Sequence, residues 1–312
     1  MRGKGRFGVT AGLVVAAIAA LYGSGFGAAP PQTGPGGYID LHAHTAGIGA
    51  GGSGALISAT MRESYKFGFY LKAFGVTLEE LERHGDPLII ERLAQRIADS
   101  SEVDKAVVLA LDGVLDASGQ LDRERTQLYV PNDYVARETA RFPQLLFGAS
   151  INPLRTDALE RLERAAAQGA VVVKWIPSIM HFDPSDERFR PFYERMRDLG
   201  IVLLTHGGQE RAFGEADDRL SDPRKLALAL ESGVTVIIAH LAASGQLDRT
   251  ENFYHALSML DRYPNLYADI SALTQVNRRG YLFDALDRAL TARMVYGSDW
   301  PLQFFPLVSP WY

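Results

Sequence analysis

Eight short apolar runs recur along the chain: Tyr38–His42, Lys105–Leu111, Leu145–Ser150, Ala170–Trp175, Ile201–Thr205, Val234–Ala239, Leu266–Ile270 and Met294–Gly297. Most are unbroken Val, Ile, Leu and Ala with no polar alternation, the pattern of strands covered on both faces in a parallel sheet. Between them lie stretches with helical spacing of apolar residues: Leu88–Ser100, Asn132–Phe142, Asp157–Gln168, Asp186–Leu199, Asp222–Glu231, Glu251–Tyr263 and Arg278–Leu290. Several open on Asp or Asn, and two stop at Gly200 and Gly233, as N-caps and C-terminal glycines should. Strict alternation of eight strands with helices predicts an α/β chain folded as a (β/α)8 TIM barrel rather than a doubly wound open sheet.

Two stretches break the alternation. Only Trp300–Tyr312 follows the eighth strand, and its three prolines deny it a full eighth helix. Between the first strand and its helix lies a long insertion, 45–87, Gly-rich at first and then aromatic through Tyr65–Tyr70. It follows a strand's C-terminal end, where active sites of this fold sit, and reads as a candidate lid.

Composition adds bounds. A hydrophobic fraction of 47% and a charged fraction of 22% belong to an ordinary globular chain. The net charge of −5, with no basic run outside the N-terminus, argues against a nucleic-acid partner. The absence of cysteine rules out thiolate nucleophiles, Cys-ligated zinc, disulfides and a lipoprotein anchor. At the N-terminus, Arg2, Lys4 and Arg6 precede the uncharged run Phe7–Tyr22. Residues 1–29 therefore read as a secretory signal peptide or a membrane anchor, which places the protein outside the cytoplasm or attached to the membrane. Residues 30–37 form a Pro/Gly linker, and the barrel occupies 38–312.

The chemistry gathers where the apolar runs end. The first closes on Asp-Leu-His-Ala-His, so that His42 and His44, two positions apart, face one point beyond the strand end. Later runs end in His206, His240 and Asp299. Imidazoles and a carboxylate converging on one rim suit a divalent metal ion with an open position, the catalytic rather than the structural arrangement. Water bound there has its pKa lowered toward neutrality, and Asp299 is placed to take the water proton.

His-x-His on strand one, Lys174 on strand four, His206 on strand five, His240 on strand six and Asp299 on strand eight resemble the amidohydrolase superfamily, in particular its amidohydrolase-related, aminocarboxymuconate semialdehyde decarboxylase-like branch. The phrases Ile39-Asp-Leu-His-Ala-His44, Thr205-His-Gly-Gly208 and Gly297-Ser-Asp-Trp-Pro301 carry the likeness. It implies that His42, His44, His206 and Asp299 hold zinc or a similar ion, one ion rather than two. Asp299 would be the proton acceptor, and His240 would polarise the substrate or hold a second ion. Lys174 matches the bridging carboxylated lysine of two-metal relatives, and equally suits a substrate anchor or a structural ion pair.

His181, Gln209 and Glu210 lie on loops of the active face as candidate substrate contacts. Asp269, ending strand seven, reads as a support for a ligand or as a structural residue. His84 and His255 read as helix residues. The expected function is metal-dependent hydrolysis of a small ester, lactone or amide bearing a carboxylate. Two alternatives remain: decarboxylation on the same site, and a silent envelope-associated binding protein. The expected partner is a small-molecule substrate, and a homo-oligomer is compatible with the sequence.

Overall fold

A computed structural model describes residues 37–303. The expected signal or anchor, all but the last residue of the Pro/Gly linker, and the stretch from Phe304 onward lie outside the described residues, as does any eighth helix. Among the described residues no helix is long and apolar enough to cross a membrane.

The eight predicted strands all form: β1 Tyr38–His44, β2 Val103–Leu109, β3 Leu145–Ala149, β4 Val172–Trp175, β5 Val202–His206, β6 Val236–Ala239, β7 Leu266–Asp269 and β8 Met294–Val295. They pair in parallel and in sequence order from β1 to β8. The ring is joined by backbone hydrogen bonds between its first and last members: Leu41 N–H to Tyr296 O (3.0 Å), Asp299 N–H to His42 O (2.8 Å) and His44 N–H to Trp300 O (2.7 Å). The chain is therefore a TIM barrel, with its joining seam next to the proposed ligands.

Two apolar layers hold the ring. Inside it, Leu41, Val107, Leu146, Val172, Leu204, Ile237, Tyr267 and Val295, one from each strand, pack together with three further residues into a plug. Outside it, a much larger core lies between the strands and the helices Pro87–Ala98, Asn132–Thr139, Ala158–Ala167, Arg190–Asp198, Ala227–Glu231, Asn252–Arg262 and Arg279–Asp287. Every predicted helix is present, most of them shortened at the ends. Gly200 and Gly233 turn the chain with φ of +67° and +85°, which only glycine adopts at little cost.

β1 is not a regular strand. Asp40 pairs with Ala106 and Ala43 with Val108, so three steps of β1 oppose two of β2, a bulge. Leu41 consequently packs in the inner plug while Ala43 belongs to the outer core. Simple alternation would have put both on one face.

The insertion 45–87 carries three helices, Ala59–Glu63, Tyr65–Phe74 and Leu78–His84, and a short strand, Leu56–Ile57, paired with Leu128–Tyr129. His84 ends the third helix, as expected. The segment is fastened at its base by the fully buried Asp86, whose carboxylate accepts the N–H groups of Ile48 and Gly49 at 2.9 Å and the Ser53 hydroxyl at 2.5 Å. It is fastened again by Phe74, whose ring meets that of Trp300 edge-on at 5.1 Å.

Candidate metal centre

Strand ends bring His42, His44, Lys174, His206, His240 and Asp299 to the floor of one cavity of about 360 Å³ at the C-terminal rim of the barrel. His42 is fully buried and Asp299 nearly so. Glycine at 297 makes room for this packing, since a Cβ there would lie 2.9 Å from the Cβ of His42. His240 and Asp299 hold left-handed backbone at φ +55° and +54°, a strained conformation for residues with side chains. Such strain gathers at sites where side-chain aim matters more than local comfort.

Three donor atoms form a tight triangle. His42 Nε2 lies 3.2 Å from His44 Nε2 and 3.5 Å from Asp299 Oδ1, and His44 Nε2 lies 2.9 Å from Asp299 Oδ1. Zinc with bonds of about 2.0–2.1 Å to tetrahedral N and O donors sets those donors roughly 3.3 Å apart. The triangle matches that edge length. His42 commits its other nitrogen, Nδ1, to Asp269 Oδ2 at 2.8 Å. With Nδ1 donating, Nε2 is left as a lone pair aimed at the triangle.

His206 stands outside that triangle, its ring 5.5 Å from that of His240. Its Nε2 is buried and has no hydrogen-bond partner; the nearest carboxylate, Glu210 Oε2, lies at 3.6 Å. An orphaned buried imidazole nitrogen is costly unless something binds it. The donor set thus fits a divalent ion held by His42, His44 and Asp299, with His206 beside them.

Burial drives the histidines toward the neutral form a metal ligand needs. It lowers His42 to about 4, with the Lys174 charge acting in the same sense, and lowers His240 to about 3. His206 is lowered for the same reason. Burial alone would raise Asp269 and Asp299, but the surrounding imidazoles and hydrogen bonds outweigh it and keep both carboxyls below the usual range.

In a second group, His42, His240 and Asp269, the atoms that face one another are already engaged in hydrogen bonds. Asp269 Oδ1 accepts the His240 backbone N–H at 2.7 Å and the Ser271 hydroxyl, and His240 Nδ1 lies 2.7 Å from Ser271 Oγ. Asp269 thus orients the ligand His42. Lys174, fully buried at the end of β4, directs Nζ to His42 Nε2 at 2.9 Å, and burial lowers it to about 8. That lone pair cannot serve both the amine and a metal ion, so the two compete.

Gln209 and Glu210 line the cavity. His181 does not: it ends the short helix Pro177–Met180 in left-handed conformation, part-buried. His255 lies within Asn252–Arg262, its Nε2 3.2 Å from Leu247 O.

Four contributors went unremarked in the sequence. Asp40 accepts the N–H groups of His42 (3.0 Å) and Ser298 (2.9 Å), joining β1 to the turn that carries Asp299. Ser271 and Gln303 support His240 and Asp299; Gln303 Nε2 donates to Asp299 Oδ2 at 2.6 Å. Arg278 lines the cavity from the loop after β7. Asp40 lay in plain sight within Asp-Leu-His, whereas the other three sit in stretches with no motif.

Among solved structures, the chain resembles an uncharacterised TIM-barrel protein from Bordetella bronchiseptica at 16% identity and a TM-score of 0.58, covering 87% of this chain and 88% of that one. It also resembles a proposed 2-pyrone-4,6-dicarboxylic acid hydrolase from Pseudomonas putida at 18% identity and a TM-score of 0.50, covering 84% and 82%. At these identities the likeness speaks for the fold. No curated protein matches the chain. The amidohydrolase family model matches residues 39–305, which include every ligand candidate, and the chain belongs to the amidohydrolase family.

Proposed function

We propose that this protein is a metal-dependent hydrolase of a small ester, lactone or amide that carries a carboxylate. The observation that carries the reading is the donor triangle of His42, His44 and Asp299 with the orphaned Nε2 of His206 beside it. Those four residues would hold one divalent ion, and their nitrogen and oxygen donors suit zinc. When bound, the ion supplies Lewis-acid polarisation and activation of water. One ion is favoured over two because Asp269 and Ser271 already occupy the second group with hydrogen bonds.

The chain's own residues do the rest. Asp299 is held anionic, with Oδ2 fixed by Gln303 and one lone pair of Oδ1 in the donor triangle, and the second lone pair of Oδ1 would accept a proton from the attacking water and return it to the leaving group. His240, neutral and donating through Nδ1 to Ser271, presents Nε2 to the cavity as a hydrogen-bond acceptor. The pyrone hydrolase reading of the Pseudomonas putida neighbour is consistent with carbon–oxygen hydrolysis.

The test is metal analysis of purified protein together with product analysis on a panel of carboxylated lactones, esters and amides. About one equivalent of metal, lost in His206→Ala, and acid release without carbon dioxide are expected. Carbon dioxide release would make the protein a decarboxylase on the same residues. Folded protein that is metal-free and indifferent to chelators would make it a binding protein. We further propose export by the N-terminal segment, to be checked by a periplasm-only reporter fused after Pro310.

A further inference from the structure

The cavity above the floor is lined by two chemically unlike sets of residues. The loops after β1 and β2 contribute Ile57, Met61, Phe67, Leu71, Phe74 and Leu128, an apolar wall built largely by the insertion. The loops after β5 and β7 contribute polar groups, among them Glu210 and Arg278. A substrate lying across the floor meets both.

Arg278 is the unusual member of the polar side. It is only partly exposed, yet among the described residues its guanidinium makes no hydrogen bond and no ion pair. A buried guanidinium elsewhere in the barrel is treated differently. Arg155 is locked to Asp112 by two bonds of 2.6 Å. The remaining cations of the cavity are also engaged: Lys174 with His42, and Arg211 with Gln209 Oε1 at 3.1 Å. A partly desolvated guanidinium with idle donors, opening on a ligand-sized cavity, is a seat for an anion. Its planar fork matches a carboxylate in two-point contact.

The surroundings also limit how much negative charge can enter. Arg278 lies within the electrostatic reach of Asp299 and Glu210, which repel a second anionic group. The apolar wall offers no cation to receive one, and an ionised group pressed against Phe67, Leu71 and Phe74 would lose its hydration with nothing in return. An apolar body there gains by burial.

We propose that the substrate is a monoanionic, apolar-bodied acid, with one carboxylate on Arg278 and an aromatic or alkyl portion against the wall of Ile57, Met61, Phe67, Leu71, Phe74 and Leu128. This deepens the hydrolase reading by naming the substrate class, and it separates this chain from enzymes built for dicarboxylic acids. The scissile ester or amide lies between the two portions, over the floor. Arg278 touches the substrate carboxylate and takes no part in bond cleavage.

The experiment is calorimetric titration of the full chain, as purified and after chelator treatment, with 4-phenylbutyrate, its neutral analogue 4-phenylbutan-1-ol, and glutarate. Hydrogen bonds to a charged partner predict about tenfold or greater preference for phenylbutyrate over the alcohol. Glutarate, lacking the apolar body, should bind weaker still. Arg278→Gln should erase the preference and leave the alcohol's affinity unchanged, while Arg278→Lys keeps part of it. Thermal melting of each variant checks that the fold is intact. Glutarate binding tighter than phenylbutyrate would overturn the proposal. So would a preference that survives Arg278→Gln but vanishes on chelation, because the carboxylate would then sit at the metal. The preference is read without turnover, so absence of hydrolysis would sink the reaction assignment and leave this inference standing.

Discussion

Strand ends supply the floor of the cavity, whereas the insertion after β1 supplies most of its wall, and the two hold their side chains by different means. On the floor nearly every polar atom has a named partner. His42 Nδ1 meets Asp269, His240 Nδ1 meets Ser271, and Asp299 is gripped by Gln303 on one oxygen and faces His44 with the other. The apolar side chains of the wall are held by contact, with Phe74 against Trp300, and the hydrogen bonds of Asp86 fasten the base of the insertion rather than the wall itself. A directional network loses much when one member goes, because each deletion strands a buried partner. An apolar wall loses in proportion to the area removed. Substitutions on the floor should therefore break function sharply, while those on the wall should shift it gradually.

The largest effect is expected from His42→Ala. It removes one corner of the donor triangle and also strands Asp269, a fully buried carboxylate that would lose its only imidazolium-capable side-chain partner within 3 Å. Metal content and turnover should both fall to background, and stability should drop by about 3 kcal/mol, the usual consequence of uncovering a buried charge. Elemental analysis and chemical denaturation measure the two losses separately. A variant with normal metal would remove His42 from the centre.

Asp299→Asn should divide the two properties that His42→Ala destroys together. Asparagine keeps an oxygen donor but takes no proton at neutral pH. Turnover should fall by about two to four orders of magnitude while most of the metal is retained. Near-normal kcat in this variant would transfer the base role to another residue, His240 first.

Asp269→Asn probes the support beneath the ligand. The native carboxylate accepts on both oxygens, from His42 Nδ1 on one side and from the His240 N–H and Ser271 on the other. An amide has one accepting oxygen and one donating nitrogen, so one side must face a donor with a donor. Metal affinity should weaken by about 10- to 100-fold, as competition against a calibrated chelator would show. Unchanged affinity would mean that the ring of His42 is held by packing instead.

The floor was also the more legible region. A metal ligand must end a strand, and a buried parallel strand announces itself as an apolar run, so His42, His44, His206, His240 and Asp299 stood out by position. The eight strands and seven helices followed from the same periodicity. The bulge in β1 left no mark in the sequence, because a two-for-three pairing depends on the partner strand and not on β1 alone. Ser271, Gln303 and Arg278 reach the site from loops whose path is set by tertiary packing, and polar residues in loops look alike. His181 shows the reverse error. It follows β4 on the active face, but the helical turn Pro177–Met180 carries it away from the cavity.

Acid should act on the floor before the wall. His42 and His240 protonate at about 4 and about 3 in the folded chain against an ordinary value of 6.5, so below pH 6.5 the unfolded chain binds protons that the folded chain refuses. Their contribution to stability is present above about 6.5 and is lost as pH falls through about 4. Asp40 opposes them, since burial raises it to about 6 and the folded chain takes up its proton first. One carboxyl set against these imidazoles, with His206 lowered as well, leaves a net loss on acidification. Melting temperature measured from pH 7 to 4 in chelated protein should fall, and His240→Asn should flatten the fall. A flat wild-type profile would mean that the imidazoles are not held neutral.

The smallest effect is expected on the wall, from Met61→Ala. Met61 lines the cavity from the helix Ala59–Glu63 and is only partly buried, so its truncation opens existing space and creates no new void in the core. Stability should change by no more than about 1 kcal/mol, well short of the 2–5 kcal/mol typical of a fully buried methionine. The side chain offers no donor to the triangle of His42, His44 and Asp299, so metal content should stay at the wild-type level. For an apolar-bodied acid the lost contact should raise KM by several-fold while kcat is kept, because uniform binding is removed and the chemistry is not. For a substrate too short to reach the wall, KM should not move. Steady-state kinetics on a long and a short member of one ester series makes the comparison. Equal KM changes for both would show that Met61 acts through the shape of the insertion, and a fall in kcat would show that wall and floor are coupled after all.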